Sequence, residues 1–199
     1  MAEIHTVAVI GAGPVGRGIA HAAALGGYRT IVEDILPASL RKAESEIRGA
    51  LDEAIQAGRL SRTEADAAFR RLEYASSVEE AARQADLVIE AVPDEWESKS
   101  EIFILLDKIC RPETILATNT ASLSVTEIAS VTYRPEKILG MRFGTAGQTW
   151  NTIEISRGAQ TADNTVLACA ELAHKMGKQV VVSDNADYSD DRDPSLRSG

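Results

Sequence analysis

Gly11-Ala12-Gly13-Pro14-Val15-Gly16 follows directly on the apolar run Thr6 to Ile10 and opens a stretch rich in small residues, Arg17 to Leu25. Asp34 lies 23 positions after Gly11. A strand, a glycine turn, a helix and a later acid in this order form a dinucleotide-binding fingerprint. Gly11 permits the tight turn, Gly13 lets backbone approach a pyrophosphate, and Gly16 lets the helix pack closely on the strand. The amides of Pro14's neighbour Val15 and of Gly16 open the helix, whose N-terminus favours an anion. Pro14 is compatible with this, because the N–H it lacks would have had no partner within the helix.

Asp34 narrows the nucleotide. It ends the second apolar run, Thr30-Ile31-Val32-Glu33-Asp34, where a carboxylate accepts from adenosine ribose hydroxyls and repels a 2′-phosphate. Ile35, Leu36 and Pro37 bring no arginine to receive that phosphate, so NAD is expected over NADP. The competing reading makes Asp34 a helix cap. Strand alternation is expected to turn Glu33 away from Asp34.

A chain of 199 residues suits one domain with a substantial core. It is 44% hydrophobic but has no apolar run of about 18 residues, and no basic, apolar leader stands before the first strand, so a protein of the cytoplasm with no membrane segment is expected. A net charge of −9 argues against a nucleic-acid partner. The two cysteines, Cys110 and Cys169, fit buried reduced thiols, and no metal-ligand set stands out.

Strand and helix patterns alternate along the rest. Leu40, Ala43, Ile47, Leu51 and Ala54 keep one helical face up to Ala57-Gly58, and a capping box at Ser61-Arg62-Thr63-Glu64 starts a second helix. The two helices make a hairpin over about 38–72, inserted between the second and third strands. Its arginines (Arg48, Arg59, Arg62, Arg70, Arg71) either meet an anionic ligand such as the phosphates of coenzyme A or form an ion-paired solvent face. Further strands are expected at Leu72 to Ala75, Leu87 to Val92, Thr114 to Thr118, Lys137 to Phe143, Thr152 to Arg157 and Gln179 to Ser183. Helices are expected from Asp94 to Cys110 and Ala162 to Met176, with capping boxes at Ser77 and Ser124. The fold class is α/β: a Rossmann-type, doubly wound, mostly parallel sheet, with its crevice at the carboxyl ends of the first and fourth strands.

The order of these segments resembles the NAD-binding domain of the 3-hydroxyacyl-CoA dehydrogenases. The resemblance rests on Val7 to Ala20, Ile31 to Asp34, the hairpin, Asp86 to Val92, Ala117-Thr118-Asn119-Thr120-Ala121-Ser122-Leu123, Arg134-Pro135-Glu136, Gly140-Met141 and Ile153-Glu154-Ile155, and it covers roughly residues 5 to 184. It implies an NAD site made by Gly11, Gly13, Pro14, Val15, Gly16, Asp34, Ala91, Lys99 and Asn119, with Asp94 where the family usually has glutamate. Composition alone reads Lys99 as an exposed helical lysine among glutamates.

The same resemblance implies hydride transfer between NAD and a 3-hydroxyacyl-CoA, with a histidine taking the hydroxyl proton, a glutamate orienting it, and a serine bonding the substrate oxygen. Aligned on Gly140-Met141, the histidine position is Arg142 and the serine position is Ala121, with Ser122 beside it; Glu154 keeps the glutamate place. An arginine is not deprotonated in a protein, so Arg142 and Glu154 are expected to form an ion pair. His5, His21 and His174 lie elsewhere. The alternative reading is a non-catalytic NAD(H)-binding module or a degenerate fragment. The family's C-terminal helical domain is expected to be absent, residues 1–184 forming the NAD-binding domain and 185–199 an acidic, disordered tail. Without that domain, apolar surface at Phe143, Trp150 and Ile153 is expected to favour a homo-oligomer.

Overall fold

The computed structural model describes residues 3–144 and 151–183. Expectations for Trp150 and for the 185–199 tail lie outside the described residues. The first unit is strand β1 (Thr6–Ile10), helix α1 (Pro14–Leu25) and strand β2 (Arg29–Glu33). The hairpin follows as α2 (Pro37–Gln56) and α3 (Arg62–Phe69), then β3 (Leu72–Ala75), α4 (Val78–Ala82), β4 (Leu87–Glu90) and α5 (Trp96–Ile109). Next come β5 (Ile115–Thr118), α6 (Val125–Ser130), β6 (Ile138–Phe143), β7 (Thr152–Arg157), α7 (Asp163–Lys175) and β8 (Gln179–Ser183).

The strands form one sheet in the order β3-β2-β1-β4-β5-β6-β7-β8, parallel except at the antiparallel β6–β7 pair. Chain direction across the sheet switches at β1, whose neighbours are β2 and β4, and Ile10 stands opposite Glu90 at the carboxyl end. This is the doubly wound arrangement the alternating pattern predicts, with its crevice where predicted. Helices cover both faces. Val9, Ile89, Met141, Phe143 and Ile153 pack with α1, the hairpin and α7, while Ile10, Val88, Leu116 and Ile138 pack with α4, α5 and α6.

Capping sets the helix starts. At Ser61 both halves of the box are present, and the hydroxyls of Ser77 and Ser124 accept from the amides of Glu80 and Glu127. Two boundaries differ from the pattern for local reasons. β4 stops at Glu90 because the Glu90 carboxylate accepts the Val92 N–H at 2.7 Å, drawing that residue out of the ladder. Asp94 stays out of α5 because its carboxylate serves the loop after β5.

One expectation about a face is overturned. Phe143 and Ile153 are buried, because alternation along β6 and β7 turns them toward α1 and α7. Three of the five hairpin arginines are engaged locally: Arg48 lies 3.9 Å over the Phe69 ring, Arg62 pairs with Asp52, and Arg71 donates to the Ala24 carbonyl. For these three, local contacts agree with a paired face rather than a prepared anion site.

Candidate functional site

The glycine turn is built for close approach. Gly11 takes φ +102°, the left-handed region that favours glycine, and a Cβ there would meet the Ala91 carbonyl at 2.8 Å. A Cβ on Gly16 would fall 1.8 Å from the Gly11 carbonyl oxygen, so turn and helix pack only because both residues are glycine. Gly13 is the opposite case: a Cβ added there meets nothing within 4 Å, leaving open space above the N-terminus of α1. The first turn of α1 carries no capping side chain and no acid, so the positive end of a twelve-residue helix faces that space. This cradle fits the pyrophosphate of a dinucleotide.

Beside it lies a cleft of ≈ 770 Å³ lined by Gly11, Gly13, Pro14, Val15 and Asp34, with an apolar wall that includes Ile10, Val92, Ile102 and Leu105. Asp34 is half-buried, and its two oxygens accept from the Ala12 amide at 3.1 Å and the Leu36 amide at 2.9 Å. The helix cap itself is Leu36, so Asp34 is not the cap of α2. A carboxylate offers about four acceptor sites, so two backbone donors leave room for ribose hydroxyls. Glu33 also lines this cleft, against the expectation that it turns away. The ladder ends at Glu33, and the two amide hydrogen bonds draw the Asp34 carboxylate back toward the glycine turn.

Beneath the crevice sits a buried polar cluster. Lys99 is fully buried, and its Nζ donates to Glu90 Oε1 at 2.7 Å, to Glu90 Oε2 at 2.8 Å and to the Asn119 carbonyl at 3.2 Å. Thr118 donates to Glu90 Oε2 at 2.7 Å. Lys99 is therefore neither an exposed helical lysine nor part of the cleft lining. Its hydrogen bonds hold it under the site, against the loop it was expected to join as a cofactor contact. Asn119 Oδ1 accepts from the Phe143 amide at 3.1 Å, tying the loop after β5 to the end of β6. Asp94 accepts from Thr120 Oγ1 at 2.6 Å and from the Ala121 amide and Ser122 Oγ, both at 3.0 Å. Burial works to raise the Asp94 carboxyl, but these donors and the Lys99 charge hold it below the ordinary carboxylate range.

Glu90, Thr118 and Thr120 escaped the reading of the sequence. One signal was available: Glu90 is the single charge in a central strand covered on both faces, and such a charge requires a partner.

A second cavity, of ≈ 280 Å³, opens between Val15, Ala91, Asp94, Asn119, Ala121, Arg142 and Phe143. Arg142 and Glu154 stand directly opposite one another in the β6–β7 ladder, and the guanidinium Nε donates to Glu154 Oε2 at 3.1 Å, with Nη2 on the same oxygen. The expected ion pair is present, half-exposed on the cavity side of the sheet. Ser122 faces Asp94, and Ala121 carries no donor in its side chain. None of the three histidines lines this cavity.

A glycine cradle, a carboxylate just past the end of β2 and a cleft at the switch point define a dinucleotide-binding Rossmann domain. Residues 6–186 match the NAD-binding domain of 3-hydroxyacyl-CoA dehydrogenase, and the chain belongs to that family. A probable 3-hydroxybutyryl-CoA dehydrogenase of Bacillus subtilis is 38% identical over 90% of this chain, and a 3-hydroxybutyryl-CoA dehydrogenase of Bradyrhizobium diazoefficiens is 36% identical over 92%. This chain spans 62% of the length of each. The crystal structure of 3-hydroxybutyryl-CoA dehydrogenase from Escherichia coli K12 superposes with a TM-score of 0.88 at 34% identity, covering 92% of this chain and 39% of that one. The cofactor of the domain is NAD.

Proposed function

We propose that this chain supplies the NAD-binding half of an oxidoreductase of the 3-hydroxyacyl-CoA dehydrogenase type, with a reaction centre that transfers hydride slowly. The names of its relatives support the substrate class: 3-hydroxybutyryl-CoA in two of them and 3-hydroxyadipyl-CoA in one from Escherichia coli that is 35% identical. Bound NAD would accept the hydride from C3 of the substrate, and the hydroxyl proton needs a base. The observation that carries the reading is the Arg142–Glu154 pair at the wall of the cavity. A guanidinium does not accept a proton near neutral pH, and Ala121 offers no hydrogen bond to the substrate oxygen.

The same observation favours a second reading, an NAD(H)-binding module or subunit without turnover of its own. Calorimetric titration with NAD and NADH, beside an acetoacetyl-CoA reduction assay, separates the two. NAD and NADH are expected to bind at least ~10-fold more tightly than their phosphorylated forms, a gap of about 1.4 kcal/mol, because Asp34 repels a 2′-phosphate. Asp34→Ala should weaken NAD binding while leaving the domain folded. Equal affinity for NAD and NADP would remove Asp34 from this role.

A cytoplasmic location and self-association belong to the same proposal. Cys110 and Cys169 are buried, and burial pushes their thiols up to about 11 and about 12, which suits reduced, unreactive cysteines. No described helix is long and apolar enough to cross a membrane. Val181 and Val182 stand exposed on β8, the edge strand of the described sheet, where backbone and apolar surface invite a second copy. Light scattering at roughly tens of micromolar, a range in which weak interfaces form, should find a dimer or larger, and a monomer would end this part of the reading.

A further inference from the structure

Glu33 occupies a position that neither the fold nor the ribose contact requires. It is the last ladder residue of β2, on the same sheet face as Ile31, and only 5% of its surface is exposed. It lines the larger cleft among Ile10, Val78, Val92, Ile102 and Leu105. No described residue donates a hydrogen bond to its carboxyl group. The other charged residues lining the cleft are both acids: Asp34, next in the chain, and Glu79 at the start of α4, which pairs with Arg83. At the far end of β2, Arg29 is held by Glu73.

A carboxylate buried among apolar side chains, with no donor and two acids for neighbours, is costly, and the group relieves that cost by keeping its proton. Burial first, and then the Asp34 charge, push the Glu33 carboxyl up to about 7. A neutral carboxylic acid offers one donor and one acceptor side by side, the same pair that a glutamine amide presents. Adenine offers the complement along one edge, an acceptor at N7 and a donor at the N6 amino group, which is why glutamine reads it with two hydrogen bonds. The apolar wall provides a surface for the flat base. Asp34, the next residue, faces the ribose to which that base is attached.

We propose that Glu33 is a base-reading residue: a neutral carboxylic acid that donates to a ring nitrogen of the adenine of NAD and accepts from its amino group. This rests on NAD lying in the cleft, and it adds a specificity determinant beyond Asp34. Hypoxanthine carries an oxygen in place of the amino group, so along the same edge it presents two acceptors to one donor. The proton governs affinity more than preference: the ionised carboxylate still accepts from the amino group and still repels the hypoxanthine oxygen, but it turns a second acceptor toward N7. Binding of the nucleotide is therefore tightest below pH 7 and weakens as the pH rises above 7 and Glu33 ionises, while the preference for adenine persists.

The test titrates the full chain calorimetrically with NADH and with its hypoxanthine analogue, at pH 6 and pH 8.5. The unaltered protein is expected to prefer NADH by about 10-fold at pH 6, the loss of roughly one good hydrogen bond, and at pH 8.5 to keep a preference while binding both nucleotides more weakly. Glu33→Gln, which carries the donor and acceptor at every pH, should keep both the preference and the affinity at the two pH values. Glu33→Val should show parity at both, with its thermal transition confirming the fold. Parity in the unaltered protein at pH 6, or an undiminished preference in Glu33→Val, would overturn the assignment while leaving NAD binding intact. Failure of both nucleotides to bind would overturn the NAD reading together with this one.

Discussion

Reduction of acetoacetyl-CoA by the unaltered chain is expected to run about 100- to 10,000-fold below that of a 3-hydroxyacyl-CoA dehydrogenase with its histidine in place, the range general-base catalysis contributes. The guanidinium of Arg142 can neither take nor return the substrate proton, and its hydrogen bonds to Glu154 commit the carboxylate that would orient a base. Arg142→His combined with Ala121→Ser should restore at most a trace. A base set in place without the neighbours that orient it is misplaced, and misplacement alone costs about 100-fold. NADH absorbance under single-turnover conditions is the measurement. Turnover by the unaltered chain at the rate of its relatives would refute the reading.

The second large effect concerns the buried ammonium. Lys99→Met leaves Glu90 as an unpaired charge in the centre of the sheet, and breaking a buried pair in this way costs about 3 to 5 kcal/mol. For a domain of this size that lowers Tm by about 6 to 20 °C. Adding Glu90→Gln to the same chain should recover most of the loss, since removing both charges leaves neither uncompensated. The single variant should also bind NADH more weakly, because the Asn119 carbonyl loses its donor and that loop forms one wall of the smaller cavity. Urea denaturation of the single and double variants reads the energies. A loss below about 1 kcal/mol for Lys99→Met, the scale of an exposed pair, would show that the cluster does not carry the site.

Much of the architecture was legible because its signals are local. Glycines at 11, 13 and 16, a serine three residues before a glutamate, and runs such as Leu87 to Glu90 each report on their own few residues. Arg142 and Glu154 were legible as a pair through the resemblance, although the antiparallel register that sets them face to face is a property of the sheet. What stayed hidden depends on distant neighbours. Lys99 reads as exposed until Glu90, on the strand before its helix, claims it. Phe143 and Ile153 read as open surface until α7 packs over that face. That Glu33 and Asp34 border one cleft is invisible because alternation ends with the ladder at Glu33, and the Ala12 and Leu36 amides set the Asp34 carboxylate beyond it.

The cross-strand seat of Arg142 separates two kinds of selection. Glu154 accepts from whatever cation stands opposite it, and a ladder position that is half-exposed on both sides holds an imidazolium or a guanidinium with little difference in folding energy. One change of base in a codon converts histidine to arginine. Under the proposed reading, a base at this position can therefore be lost by a step that the fold does not register, and a screen for stability would pass over it while a screen for turnover would find it at once.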